Sequence, residues 1–236
     1  MTDVRPFCAL YYNKNKVGSL DDVIVPPYDV ISERDKKQFF KKSPFNYARI
    51  ILGSSKNQYA SVGKTFRRWV EEDVFLRSDP AFYVWEQQFS KEGQILKRFG
   101  LVSAVALKDF RRGNILPHEN TFDAPIQDRL RILKACQANL SPIFMTYHDP
   151  QRALEKKLFK WCRTLGPDGP RPKGPFLKFK DKQGVESRIF KIEDKTVMKF
   201  IRQFFLKKKL NEFLLNDIYK LEVKKNVINR ICKIRY

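Results

Sequence analysis

The chemistry-bearing residues of this chain gather in two short segments. The first is Leu116-Pro117-His118-Glu119-Asn120-Thr121-Phe122, with Asp128, Arg129 and Arg131 just downstream. A glutamate in a loop can take a proton from a hydroxyl that comes within about 3 Å of it. An arginine nearby can hold a phosphate or a carboxylate through its fork of N–H donors. Loops held by rigid elements are where such chemistry usually sits. The same residues also suit a plain helix-entry loop with a surface Glu119 and a hydrogen-bonded His118. The second segment is Val25-Pro26-Pro27-Tyr28-Asp29-Val30-Ile31. Its two prolines fix an extended backbone, which presents the Tyr28 hydroxyl beside the Asp29 carboxylate. That arrangement fits a wall of a substrate pocket, or a rigid strand exit with a turn aspartate.

Other chemistries find little support. Cys8, Cys136, Cys162 and Cys232 are scattered, none with C-x-x-C spacing, and His118 and His148 are the two histidines. This pattern argues against a metal site and against a disulfide framework. It suits reduced thiols in a cytoplasmic protein. No apolar run approaches the ~20 residues that span a bilayer. The start of the chain lacks a basic stretch followed by an apolar one, so neither a secretory signal nor a membrane partner is expected.

The formal net charge of +21 admits several readings: nucleic acid as partner, a lysine-rich composition, or a site for anionic phosphates. Lysines cluster at Lys36 to Lys42, Lys207 to Lys209 and Lys220 to Lys233, but basic residues run along the whole chain. RNP-type aromatics, a zinc knuckle and a clear helix-turn-helix are all missing. A solvated basic surface is therefore favoured over specific nucleic-acid binding, which stays as the alternative.

These segments need a scaffold, and the periodicity predicts one. Strands are expected at Val4 to Tyr12, Val23 to Val25, Tyr47 to Leu52 and Pro142 to Tyr147. Hairpins are expected from Phe82 to Leu107 around Lys91-Glu92-Gly93-Gln94, and from Phe176 to Ile192 around Asp181-Lys182-Gln183-Gly184. Ser32 and Asp35 form a capping-box pattern for a helix to Lys42. Asn57 to Glu72 carries Val62, Phe66, Trp69 and Val70 on one face at helical spacing. Further helices are expected from Pro125 to Ala138, from Arg152 to Leu165, and after the cap Asp194. The helix of Asn57 to Glu72 is expected to pack on the sheet of the first strand and hairpin through Phe66 and Trp69. Hairpins with interspersed helices argue an α+β fold with a mixed sheet.

Motifs in fixed order carry a resemblance. They are Arg5-Pro6-Phe7, Val17-Gly18, Pro26-Pro27-Tyr28-Asp29-Val30-Ile31-Ser32 and Ser43-Pro44-Phe45-Asn46. They continue with Leu116-Pro117-His118-Glu119 and Thr121, Asp128-Arg129-Leu130, and Asn139-Leu140-Ser141-Pro142-Ile143-Phe144. Together they resemble the bacterial family called domain of unknown function 1015, over about residues 1–209. That family in turn resembles the free-serine kinases of the ParB/sulfiredoxin-like superfamily. There a Pro-His-Glu trio supplies the general base, so the resemblance implies Glu119 as base. It also implies Tyr28, Asp29, His118, Thr121, Arg129, Asn139 and Ser141 as substrate-binding residues. A small hydroxy amino acid would be the acceptor, and ATP or ADP with Mg the nucleotide.

The chain departs from that pattern after Leu210. The motif A-D-G-H-H-R-Y, whose kinase counterpart supplies the phosphate site, has no match here, nor does the later Lys-Thr/Ser-rich segment. No Gly or His lies beyond Leu210. The expectation is a family member truncated by a frameshift or early stop, with a basic tail of doubtful origin at residues 210–236. Phosphoryl transfer rests on positioning and on neutralising phosphate charge. Glu119 alone supplies neither, so little or no kinase activity is expected of the isolated chain.

Overall fold

A computed structural model describes residues 1–52, 58–107, 115–117, 122–163, 174–213 and 231–235; residues 117, 163, 210–213 and 231–235 are described by backbone alone. The fold is α+β. The strands are β1 (Val4–Arg5), β2 (Leu10–Tyr12), β3 (Phe75–Arg77), β4 (Phe82–Lys91), β5 (Gln94–Val105), β6 (Ile115–Pro117), β7 (Ile143–Thr146), β8 (Leu177–Lys180), β9 (Glu186–Ile192), β10 (Leu210–Phe213) and β11 (Ile231–Arg235). The helices are α1 (Lys14–Val17), α2 (Glu33–Lys42), α3 (Ala48–Ile51), α4 (Gln58–Glu71), α5 (Asp123–Cys136), α6 (Ala153–Arg163) and α7 (Lys195–Leu206).

The large sheet runs β6-β10-β7-β11-β5-β4-β9-β8, with β1 also on β5. Its centre is the β4–β5 hairpin, in register from Tyr83↔Val102 to Lys91↔Gln94. Glu92 and Gly93 close it with φ of 52° and 75°. Positive φ at both central residues matches the right-handed twist of the strands. The half from β5 to β8 is antiparallel, while β6 with β10 and β7 with β11 are parallel pairs. The backbone of Leu210–Phe213 and Ile231–Arg235 is thus paired within the sheet.

One face of the sheet carries Phe82, Val84, Leu101, Ile143, Met145 and Ile192. Onto it pack Leu154 and Leu158 of α6 and Val197, Ile201 and Phe205 of α7. Asp194 accepts from the Val197 N–H at 2.8 Å and caps α7 as its sequence predicts. A second core gathers Ile50, Ile51, Val62, Phe66, Trp69, Phe75, Ile132 and Cys136.

Four expectations need correction. Val4 to Tyr12 is not one strand. Pro6 has no N–H to continue the ladder; β1 joins β5, and β2 leaves to pair with β3 in a separate two-stranded sheet. Val23 to Val25 is not a strand. Leu20–Asp22 forms a short 3-10 turn capped by Ser19, and the Leu20 carbonyl takes the N–H groups of both Val23 and Ile24 at 3.2 Å. Tyr47 to Leu52 is not a strand either. The buried Asn46 accepts from the Ala48 N–H at 3.1 Å and donates to the Asp22 carbonyl at 2.8 Å, starting α3 instead. Finally, α4 does bury Phe66 and Trp69, but in the second core, against α3, α5 and β3. The capping box of α2 is present as expected, with Ser32 and Asp35 satisfying each other's backbone N–H.

The crossing of α4 and α5 is close enough to exclude a side chain at Gly63. A Cβ built there would lie 2.6 Å from the Ala135 carbonyl oxygen. Alanine in a helix is ordinarily favoured over glycine by roughly 1 kcal/mol. Here the overlap is with backbone and overpacking costs about 1–3 kcal/mol, so the sign reverses. Gly63→Ala is expected to lower the urea midpoint at unchanged slope; a raised midpoint would show that the helices part freely.

The second core also links stability to alkaline pH. Burial pushes the Cys136 thiol up from its ordinary 9.0 to about 11. Burial likewise raises the Tyr47 and Tyr12 hydroxyls. The unfolded chain loses these protons first, so the folded state binds more of them at high pH. Their contribution is intact below about pH 9 and falls as pH climbs from 9 towards 11. Denaturant titrations at pH 8, 9, 10 and 11 should give an unfolding free energy that holds to about pH 9 and falls above it, and a flat profile would refute the assignment.

Candidate functional site

Tyr28 and Arg129, more than a hundred residues apart, meet in space. Tyr28–Val30 forms a 3-10 turn after the diproline. Pro27, with φ −51°, sets its entry. Arg129 sits in the second turn of α5, and its guanidinium carbon lies 3.7 Å from the Tyr28 ring centroid. A planar cation on an aromatic face is attracted by the ring quadrupole, about 1–2 kcal/mol where water is largely excluded. The Arg129 side chain is 10% exposed.

The guanidinium is also spoken for by oxygen. Its Nε donates to Asp128 Oδ2 at 2.8 Å, and a terminal N–H of the same group also bonds that oxygen. A terminal nitrogen donates to the Ile51 carbonyl at 3.2 Å. Ile51 is the last residue of α3, where helix carbonyls lack partners within the helix. Asp128 in turn accepts from the Tyr59 hydroxyl at 2.8 Å and from Gln58 Nε2 at 3.4 Å. One arginine and one aspartate therefore tie together the Pro-Pro-Tyr turn, the end of α3, the start of α4 and α5.

Electrostatics follow from this packing. Burial raises the Tyr28 hydroxyl, and Arg129 only partly opposes it, so Tyr28 is a neutral hydrogen-bonding group at ordinary pH. Asp29 is exposed beside it. Arg131 is exposed two residues further along α5, 5.5 Å from the Tyr59 ring centroid. Tyr28 and Asp29 thus present a hydroxyl and a carboxylate beside the Arg129 stack. Among the described residues no group of three or more His, Cys, Asp or Glu is arranged for a metal ion.

Of the residues singled out from sequence, Tyr28 and Arg129 are in contact and Asp29 adjoins them. Glu119, His118 and Thr121 lie outside the described residues. The chain enters α5 at Phe122, about 10 Å along the helix axis from Arg129 at 1.5 Å per residue. Asn139 and Ser141 follow the other end of α5, which closes at Cys136. That segment is tied to Tyr47, whose hydroxyl donates to the Leu140 carbonyl at 2.6 Å. Gln58, Tyr59 and the Ile51 carbonyl are participants that sequence reading missed. The start of α4 next to an aromatic-polar pair was the available hint, but nothing local names Asp128 as its partner.

Removal of Arg129 should loosen several segments at once. Arg129→Ala is expected to cost about 2–3 kcal/mol, as for a hydrogen-bonded ion whose partners lose their donor. Arg129→Lys should recover less than half, because an ammonium has neither the fork nor the plane. A double-mutant cycle with Tyr28→Leu should give a coupling of about 1 kcal/mol. A coupling indistinguishable from zero would mean that the stack does not hold the turn.

Comparison with known proteins gives one match. A model of the family described as protein of unknown function DUF1015 covers residues 4–217. No curated protein and no solved structure matches the chain. The match takes in the Pro-Pro-Tyr turn, the Asp128–Arg129 pair and the Asn139 to Phe144 segment, and it runs past the boundary expected at residue 209 into β10. The chain belongs to the DUF1015 family.

Proposed function

We propose that this chain descends from a nucleotide-dependent kinase of free serine or a similar hydroxy amino acid, and that alone it transfers phosphate little or not at all. The observation that carries the reading is the stack of Arg129 on Tyr28. It fastens the Pro-Pro-Tyr-Asp turn to the helix that directly follows the Pro-His-Glu segment. Glu119 would take the proton of the acceptor hydroxyl. Tyr28, Asp29 and the exposed Arg131 would position the amino acid through its ammonium and carboxylate. His118 and Thr121 would complete the pocket from the same loop, and ATP or ADP with Mg would be the donor. Because Arg129 is already bonded to Asp128 and Ile51, its part is to hold Tyr28 in place.

The inactivity rests on what the sequence lacks. Stabilising a transferring phosphoryl group takes preorganised donors or a metal around its equatorial oxygens. The Gly-His-His-Arg segment that would supply them has no counterpart here, since neither Gly nor His occurs beyond Leu210.

Two measurements on the purified chain separate the parts of this reading. Titration calorimetry with L-serine, L-threonine and L-homoserine should detect millimolar binding of at least one, weakened several-fold by Glu119→Gln and by Tyr28→Phe. Incubation with Mg-ATP or Mg-ADP and the same amino acids should give no phosphoamino acid above the enzyme-free control. Turnover with serine would overturn the claim of inactivity. Absence of binding for all three up to 50 mM, roughly the weakest end of specific recognition, would overturn the assigned ancestry of the site.

A further inference from the structure

The net charge of +21 is unevenly distributed over the folded surface. α6 and α7 lie side by side on the sheet and run antiparallel. The Lys157 ammonium is 5.7 Å from the Phe200 ring centroid, and Lys208 Nζ donates to the His148 carbonyl at 2.7 Å. Their apolar residues, Leu154, Leu158, Val197, Ile201 and Phe205, face the core. Outward stand Lys156 and Lys157 on α6, Lys195, Lys199 and Arg202 on α7, then Lys207 and Lys209.

Among the described residues, the acidic residues that begin these helices are engaged locally. Asp149 accepts from the Leu154 N–H at 3.0 Å and Asp194 from the Val197 N–H at 2.8 Å. Glu155 is buried and held by Arg152, and Glu193 pairs with Lys191 at 2.7 Å. From Lys195 to Lys209 there is no acidic residue at all. The result is a two-helix face of one sign.

We infer that the outer face of α6 and α7 is a docking surface for the phosphodiester backbone of a nucleic-acid duplex, read without regard to sequence. Other anionic partners fit less well. Binding to lipid by amphipathic helices needs apolar side chains on the outer face. Here those side chains point inward, and Leu206 at the end of α7 is the one large apolar residue exposed on these helices. Single strands are gripped by bases stacking on open aromatic platforms. Phe200 and Phe204 are partly buried against the core and lie 6.3 Å from each other. What remains is charge on a rigid frame. Lys195, Lys199 and Arg202 follow one side of α7 over about 10 Å. That length spans about three phosphates of one strand at 3.4 Å each. This inference is independent of the kinase-type reading, since the Tyr28–Arg129 cluster belongs to other elements.

The test is fluorescence anisotropy of the full chain with a labelled 20-base-pair duplex of arbitrary sequence, in 50 to 200 mM KCl. The variant Lys157→Gln, Lys199→Gln, Arg202→Gln removes three charges from the face. A control, Lys37→Gln, Lys41→Gln, Lys64→Gln, removes three exposed charges from α2 and α4. Each phosphate contact contributes about 0.9 to the slope of log affinity against log salt. The face variant should therefore lose two to three units of slope and at least tenfold in affinity at 100 mM KCl, with the control within about threefold of the unaltered chain. Circular dichroism and melting check that both variants fold. Should the triple variant unfold, Lys199→Gln and Arg202→Gln singly should each remove about one unit of slope. Equal losses in face variant and control would overturn the proposal, as would no saturable binding at 50 mM KCl. Tighter binding to phosphatidylserine vesicles or to the single strand than to the duplex would overturn it as well.

Discussion

A guanidinium has five N–H donors in one plane and a face that stacks, and the second core of this protein is organised around one of them. Arg129 is 10% exposed, with Asp128 against it, the Ile51 carbonyl 3.2 Å away and the Tyr28 ring 3.7 Å away. The planar fork meets a carboxylate and a helix-end carbonyl through its edge while its face stacks on the ring. The cost of withdrawing this charge from water is offset by the Asp128 carboxylate, the Ile51 carbonyl and the Tyr28 ring. That condition fixes the relative placement of four segments that share no backbone pairing. It also explains why the Pro-Pro-Tyr turn can be short and largely irregular: its geometry is imposed from α5 by a side chain.

The large sheet solves a different problem by other means. Its β4–β5 hairpin is local in sequence, with partners beginning at Lys91↔Gln94, so it can form early at small loop-closure cost. β1 and β11 join it from opposite ends of the chain. The two-helix layer of α6 and α7 then covers one face through Leu154, Leu158, Ile201 and Phe205. The molecule thus combines a sheet held by backbone pairing with a helical subcore held by Arg129 and by Trp69, which meets Phe45 and Phe75 edge-on. The candidate site lies on the helical subcore.

Local signals were legible in the sequence and non-local ones were not. The capping box at Ser32 and Asp35, the cap at Asp194, the turn at Glu92-Gly93 and the stripe of Phe66 and Trp69 each depend on neighbours within a few positions, and each is present in the structure. Ile50-Ile51-Leu52 is too short an apolar run to have a readable period, and the capping by Asn46 decides in favour of helix. The stripe on α4 declares that a face is buried but not against what, which is why its partner was misplaced. In the site, family motifs pointed to Tyr28 and Arg129 as separate features. Their contact depends on the Ile51 carbonyl and on Tyr59, a backbone atom and a residue outside every motif.

The two functional readings arise from one fact about composition. With 26 acidic residues against 47 basic ones, the places where acids are spent decide where positive charge is left exposed. Many acids here serve local structure: Asp35 closes the capping box, Asp149 and Asp194 cap helices, and Asp128 anchors Arg129. A capping carboxylate sits at a helix N-terminus, where the helix dipole favours it, and cannot also neutralise lysines a turn or two further along the surface. Around Arg129 the acid and base are matched, Asp128 against the guanidinium. On α6 and α7 the acids, Glu155, Asp194 and the preceding Asp149, are confined to the entrances. Where a limited number of carboxylates were needed to start helices therefore decides which parts of the described surface are balanced in charge and which stay basic.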